Sequence, residues 1–221
     1  LKDVKINESR GNDTIQKEFF IGQPAKKSSS SVTMTGIMAV LSSTIVILIT
    51  KQAAREERPM CELLGMNFNG PVSCGFSFRG FSNRGNRNPD GWGIALYPEG
   101  GKAVQVFKEP LKARSSELAN FVNNYARLRS NSFISHVRYA TSEVCYDNTH
   151  PFVREFQGRE YAFAHNGVLS NYQNSLQLGR FKPVGSTDSE YAFCHLLNTM
   201  EETYTGWNHS SFIELENTMR R

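Results

Sequence analysis

"RPMCELLGM", Arg58 to Met66, decides how this chain is read. A Met-Cys pair followed by an apolar run reads like the start of a protein, yet here it sits about a quarter of the way along 221 residues. Met aminopeptidases remove Met before small residues, which would leave Cys61 as a first residue. Its own α-amino group, with an ordinary pKa of ~7.7–8.0, could then take the thiol proton near neutral pH. Thiolate attack on a carbonyl would follow. Taken alone, Cys61 reads rather as a buried, inert cysteine at the head of a strand, the common fate of a free Cys.

The sequence upstream has a different texture. Residues 1–33 are polar, include "KKSSSS" at 26–31, and read as disordered. Residues 34–50, "MTGIMAVLSSTIVILIT", carry no charge, and their 17 residues sit at the lower edge of a membrane span. Residues 51–59 form a charged linker. Three readings of residues 1–59 stand: a cleaved propeptide, a membrane-anchoring addition, or upstream sequence joined by a start-site error. The expectation favours the third, because the chain begins at Leu1 and ends abruptly at "NTMRR". The net charge of +4 is concentrated in this leading part, so the body is near neutral. That excludes a nucleic-acid partner on charge grounds. Four cysteines, Cys61, Cys74, Cys145 and Cys194, show no metal-type spacing and no disulfide framework. The expectation is a cytoplasmic protein, or a single-pass anchored one if 34–50 is native.

Downstream of Cys61 the pattern is globular. "GWGIALYP" (91–98) and "AVQVFKEP" (103–110) read as a hairpin around "PEGGK". "SSELANFVNNYARL" (115–128) reads as a one-faced helix. "SFISHVRYA" (132–140) and "REYAFAHNG" (159–167) read as strands that run into polar loops. "STDSEYAFCHLLNTMEE" (186–202) reads as a helix with Phe193, Leu196, Leu197 and Met200 on its apolar face. Thr187 and Glu190 have the spacing of a capping box at its start. Strands followed by segregated helices imply an α+β class with mainly antiparallel sheet.

Several polar residues sit at the ends of these elements. Arg138 could hold a carboxylate with two parallel hydrogen bonds, or form a surface ion pair. Asn166 and Gly167 could stabilise an oxyanion, or make a plain turn. Asp188 could accept a substrate ammonium, or complement its helix dipole. As a set with Cys61, these roles fit one substrate: an α-amino acid with a side-chain amide, meaning glutamine or a γ-glutamyl compound. His136, His150 and His165 read as hydrogen-bonded scaffold, since the α-amine already supplies a base.

"MCELLGM" (60–66), "FSFRG" (76–80), "DGWGIALY" (90–97), "HVRYAT" (136–141), "NTHPF" (148–152), "AHNGVLSNY" (164–172) and "PVGSTDSEYAF" (183–193) appear in order. Together they resemble the class II glutamine amidotransferases, and most of all the stand-alone group related to the ergothioneine-pathway γ-glutamyl amidase and the yeast glutathione-degradation amidotransferase. The resemblance implies an N-terminal nucleophile hydrolase fold, two antiparallel sheets packed between helical layers, over 60–221, with its C-terminal strands missing. It implies Cys61 as nucleophile with its α-amine as base, Arg138 on the α-carboxylate, Asn166 and Gly167 as oxyanion hole, and Asp188 on the α-ammonium. Thr141 would be a minor substrate contact. Tyr139 and Ser142 depart from the Trp and His of better-known members, which bears on the acceptor rather than on amide hydrolysis. No cofactor and no metal are implied, and the partner is a small-molecule substrate. Two other readings stand beside this one. If residues 1–59 stay attached, the domain would be a non-catalytic, membrane-tethered binding module. An internal Cys–His pair would keep enzyme activity without a free N-terminus.

Overall fold

The computed structural model describes residues 61–83, 87–98 and 101–203, together with four backbone strands upstream of them. Those are β1 (Val4–Gly11), β2 (Thr14–Ile21), β3 (Met34–Leu41) and β4 (Thr44–Lys51). The 51–59 linker beyond Lys51, the middle of the 98–102 turn and everything after Thr203 lie outside the described residues.

Downstream come β5 (Glu62–Ser73), α1 (Gly75–Ser82), β6 (Trp92–Leu96) and β7 (Gln105–Glu109). They are followed by α2 (Glu117–Asn124), β8 (Arg129–Val137), β9 (Phe152–Phe156) and β10 (Arg159–Asn166). The short α3 (Tyr172–Ser175) and the long α4 (Asp188–Thr203) complete the described chain. One sheet runs β1-β2-β5-β8-β6-β7 and is antiparallel throughout. The other runs β3-β4-β10-β9, with one parallel pair, β4 and β10. The class is mixed helix and sheet with mainly antiparallel strands, as the element order implies.

Side-chain parity explains the layering, because alternate residues of a strand face opposite ways. Leu64, Met66, Ile94, Leu96 and Phe133 pack with Phe78 and Phe81 of α1 and Val122 of α2. Leu63, Ala95 and Ile134 point the other way and meet Ala162 and Ala164 of β10. The small alanines let the two sheets approach. The outer face of the second sheet carries Phe163, whose ring stacks on Phe193 of α4 at 5.0 Å. Leu196, Leu197 and Met200 extend that contact, as the helical period requires. The order is helices, sheet, sheet, helix.

Four strands are described within the leading residues. The stretch 1–33, read as disordered, contains β1 and β2, and β2 continues the first sheet by pairing with β5. The apolar run 34–50 supplies β3 and all but the last residue of β4, which pair with each other. Thr44, Ile45, Val46, Ile47 and Ile49 are β-branched, which favours strand over helix. Among the described residues no helix is long and apolar enough to cross a membrane.

Candidate active site

Register brings Cys61 to its neighbours. Glu62 is the first residue of β5 and pairs with Val137, the last of β8. Cys61 therefore lies beside the chain that leaves β8. The Tyr139 backbone N–H donates to its Sγ at 3.2 Å, and the thiol faces the Tyr139 carbonyl at 3.4 Å. Burial pushes the Cys61 thiol up. The Tyr139 N–H and the Arg138 charge pull the other way, while the Asp188 carboxylate adds to the rise. The charges of the two groups expected to clamp an α-amino acid thus both act on the sulfur.

Arg138 is 4% exposed, so it is no surface ion pair. Its backbone continues the ladder: Arg138 N–H donates to Gly91 and Asp90 N–H donates to Arg138. The Asp90 carboxylate accepts from the Ala140 N–H at 2.8 Å and turns the chain. Nη2 donates to the Ser142 hydroxyl at 2.8 Å and to the carbonyls of Ser142 and Glu143. Nη1 is buried without a partner. A buried cationic donor left unpaired is costly and suits an anionic guest. Thr141 is exposed on the same loop, and it is the neighbouring Ser142 that touches Arg138.

Asn166 and Gly167 are half-buried at the end of β10. Two residues on, the Leu169 N–H donates to Asp188 at 2.6 Å. The other oxygen of Asp188 accepts from the Ser189 N–H at 2.8 Å, at the start of α4. Asp188 therefore ties the loop after β10 to the N-terminus of α4. Thr187 caps that helix by accepting from the Glu190 N–H at 3.1 Å. The capping box is only half realised. The Glu190 carboxylate turns instead to Arg154 and to the backbone N–H groups of Val184 and Gly185.

Two of the three histidines depart from expectation. His165 fits it, with Nδ1 at 3.0 Å from the Ser189 hydroxyl. His136 and His150 are buried against each other, their ring centroids 4.3 Å apart, and all four of their nitrogens lack a hydrogen-bond partner. Burial, with the charges of His165 and Arg138, lowers His136 to about 3, and burial holds His150 well below its ordinary value. Gly93 makes room for this pair: a Cβ there would run into the His150 carbonyl and the Pro151 ring. Neither imidazole reaches the Cys61 thiol, whose partners are backbone atoms of Tyr139. Among the described residues no group of His, Cys, Asp and Glu is arranged to hold a metal ion.

Residues 60–221 match the family described as class-II glutamine amidotransferases. The chain belongs to that family. Similar proteins include the "Putative glutamine amidotransferase YafJ" of Escherichia coli, 46% identical over 149 residues, covering 66% of this chain and 57% of YafJ. The "Uncharacterized protein MJ1515" of Methanocaldococcus jannaschii is 46% identical over 157 residues, covering 71% of this chain and 43% of MJ1515. The "Probable glutamine amidotransferase DUG3" of Saccharomyces cerevisiae is 32% identical over 128 residues, covering 52% of this chain and 34% of DUG3. The chain spans about half the length of the first two relatives.

Proposed function

We propose that this domain hydrolyses the side-chain amide of glutamine or a γ-glutamyl compound through a thioester on Cys61, in an N-terminal nucleophile hydrolase fold. The observation that supports the reading is the Cys61 sulfur hydrogen-bonded to the backbone of Tyr139, next in the chain to the buried Arg138, with the charges of Arg138 and Asp188 both acting on it. Arg138 offers its unpaired Nη1 to the α-carboxylate. Asp188 takes the α-ammonium, and Thr141 is a minor contact on the same loop. The amide carbon then faces the thiol. Because burial raises the thiol's pKa, it does not ionise unaided and needs a base. Among the described residues the thiol's hydrogen-bond partners are backbone atoms of Tyr139, which speaks against an internal Cys–His pair. A free α-amine on Cys61 supplies the base.

The steps balance without a cofactor. The α-amine takes the thiol proton, and the thiolate adds to the amide carbon. The oxyanion forms against the Asn166 side-chain amide and the Gly167 N–H. The protonated amine gives its proton to the leaving nitrogen as the carbon–nitrogen bond breaks, releasing ammonia or an amine. Water, deprotonated by the same amine, hydrolyses the thioester to glutamate. A peptide nitrogen is not basic, so the mechanism needs the bond between Met60 and Cys61 to be cut. A chain that retains residues 1–60 would be a non-catalytic binding module.

The test replaces residues 55–60 with a protease recognition sequence whose cleavage leaves Cys61 first. Glutaminase activity should be absent before cleavage and present after it, with intact mass confirming the species. Cys61→Ala should abolish turnover in the cleaved protein. Activity in uncut protein, or in clean Cys61→Ala protein, would overturn the mechanism.

A further inference from the structure

We infer that Asn148 is a positioning residue that fixes the spacing between Arg138 and Asp188, and so the length of amino-acid head the site accepts. The inference rests on the proposed reading of that site.

Asn148 is 2% exposed and lies on neither clamp. Its Nδ2 donates to the Glu143 carbonyl at 3.1 Å. The same carbonyl accepts from Nη2 of Arg138 at 3.1 Å. On its other side, Oδ1 accepts from the Ser186 N–H at 2.7 Å, and Nδ2 is 3.1 Å from the Ser186 hydroxyl. Ser186 is two residues before Asp188, across the turn that Thr187 caps. A continuous path therefore runs from the Arg138 guanidinium through the Glu143 carbonyl, the Asn148 amide and the Ser186 backbone to Asp188.

The amide suits this place for a definite reason. Ser186 N–H needs an acceptor and the Glu143 carbonyl offers room for a second donor, and a primary amide supplies both from one planar group. A carboxylate supplies only the acceptor, a methyl neither. The packing leaves no slack: a Cβ at Gly185 would collide with Asn148 Oδ1 and the Asp147 carbonyl. The 142–148 loop and the 185–188 turn are thus locked at one separation by this side chain. Two clamps held at a fixed distance bind the carboxylate and the ammonium of one substrate together, and small misplacements in such a pair are expensive.

The experiment uses the full chain, cleaved before Cys61 as above, with Asn148→Asp and Asn148→Ala. Substrates are glutamine and N-acetylglutamine, whose ammonium is masked. The expected result in both variants is a KM for glutamine raised about 10- to 100-fold with kcat within about threefold. The preference for glutamine over its N-acetyl form should shrink, because an ammonium off its mark contributes less. A purely structural role would instead lower kcat with the folded fraction and leave KM and the preference unchanged. That pattern would overturn the inference, as would loss of the cooperative thermal transition in both variants. If the unsubstituted protein turned over no glutamine, the proposed function would fall and this inference with it. If it prefers glutamine and both variants do so equally well, only the inference falls.

Discussion

The two strand ends that carry the candidate residues, those of β8 and β10, are held in different ways. At the end of β8, Arg138 is buried and fixed from several directions, by Gly91 through its backbone and by Ser142 and Glu143 through its side chain. At the end of β10, the Asn166–Gly167 loop hangs on the carboxylate of Asp188 through the Leu169 N–H. The difference teaches which groups have one role and which have two. In the proposed reading Arg138 would hold the carboxylate and is steadied by others. Asp188 would meet the ammonium, and it also holds the loop that follows β10.

The largest expected effect separates these regions directly. Asn166→Ala should lower kcat by ~10²–10³ and leave KM nearly unchanged, because an oxyanion donor acts mainly in the transition state. A loss confined to KM would make Asn166 a positioning or turn residue.

Next come the two clamps, which should fail differently. Arg138→Lys should raise KM about 10- to 100-fold, since an ammonium cannot supply the two-pronged contact and the Glu143 and Ser142 acceptors together. Asp188→Asn keeps an acceptor for the Leu169 N–H, so it should weaken the choice of glutamine over N-acetylglutamine while sparing kcat. Asp188→Ala removes that acceptor too and should lower kcat as well. Identical kcat in the two Asp188 variants would show that the loop does not depend on this carboxylate.

The comparison also shows what the sequence could reveal. Helix α4 and the β6–β7 hairpin were legible because local periodicity and turn residues specify them. Strand β9 was missed, although the Gln157-Gly158 turn that joins it to β10 has φ of 52° and 74°, the left-handed pair a tight hairpin needs. Gln is an uncommon residue there, so the signal was weak. The hydrogen bonds of Cys61 to Tyr139 span 78 residues and follow from register alone, which no local pattern encodes. Glu190 was expected to complete its own helix cap, but long-range pairing with Arg154 won. The Asn148 bridge had no local signal, because both of its partners come from other segments.

The smallest expected effect concerns His136 and His150, which lie on the Arg138 side, against His165, which lies on the Asp188 side with a hydroxyl partner. The first two are buried, packed against each other at a tilt, and face the positive charges of Arg138 and Lys108. Folding therefore keeps them neutral, with His136 lowered to about 3 against an ordinary value near 6.5. The unfolded chain binds more protons between those limits. The stability these imidazoles contribute is complete above about pH 6.5 and is lost as pH falls toward 3, at about 1 kcal/mol per pH unit for each proton taken up. Thermal unfolding followed from pH 7 to pH 5 should show a falling Tm. His136→Leu should flatten that slope by one proton's worth, whatever it does to stability at pH 7. A slope unchanged by the substitution would mean that His136 takes up its proton in the folded protein, with water or another partner meeting its nitrogens.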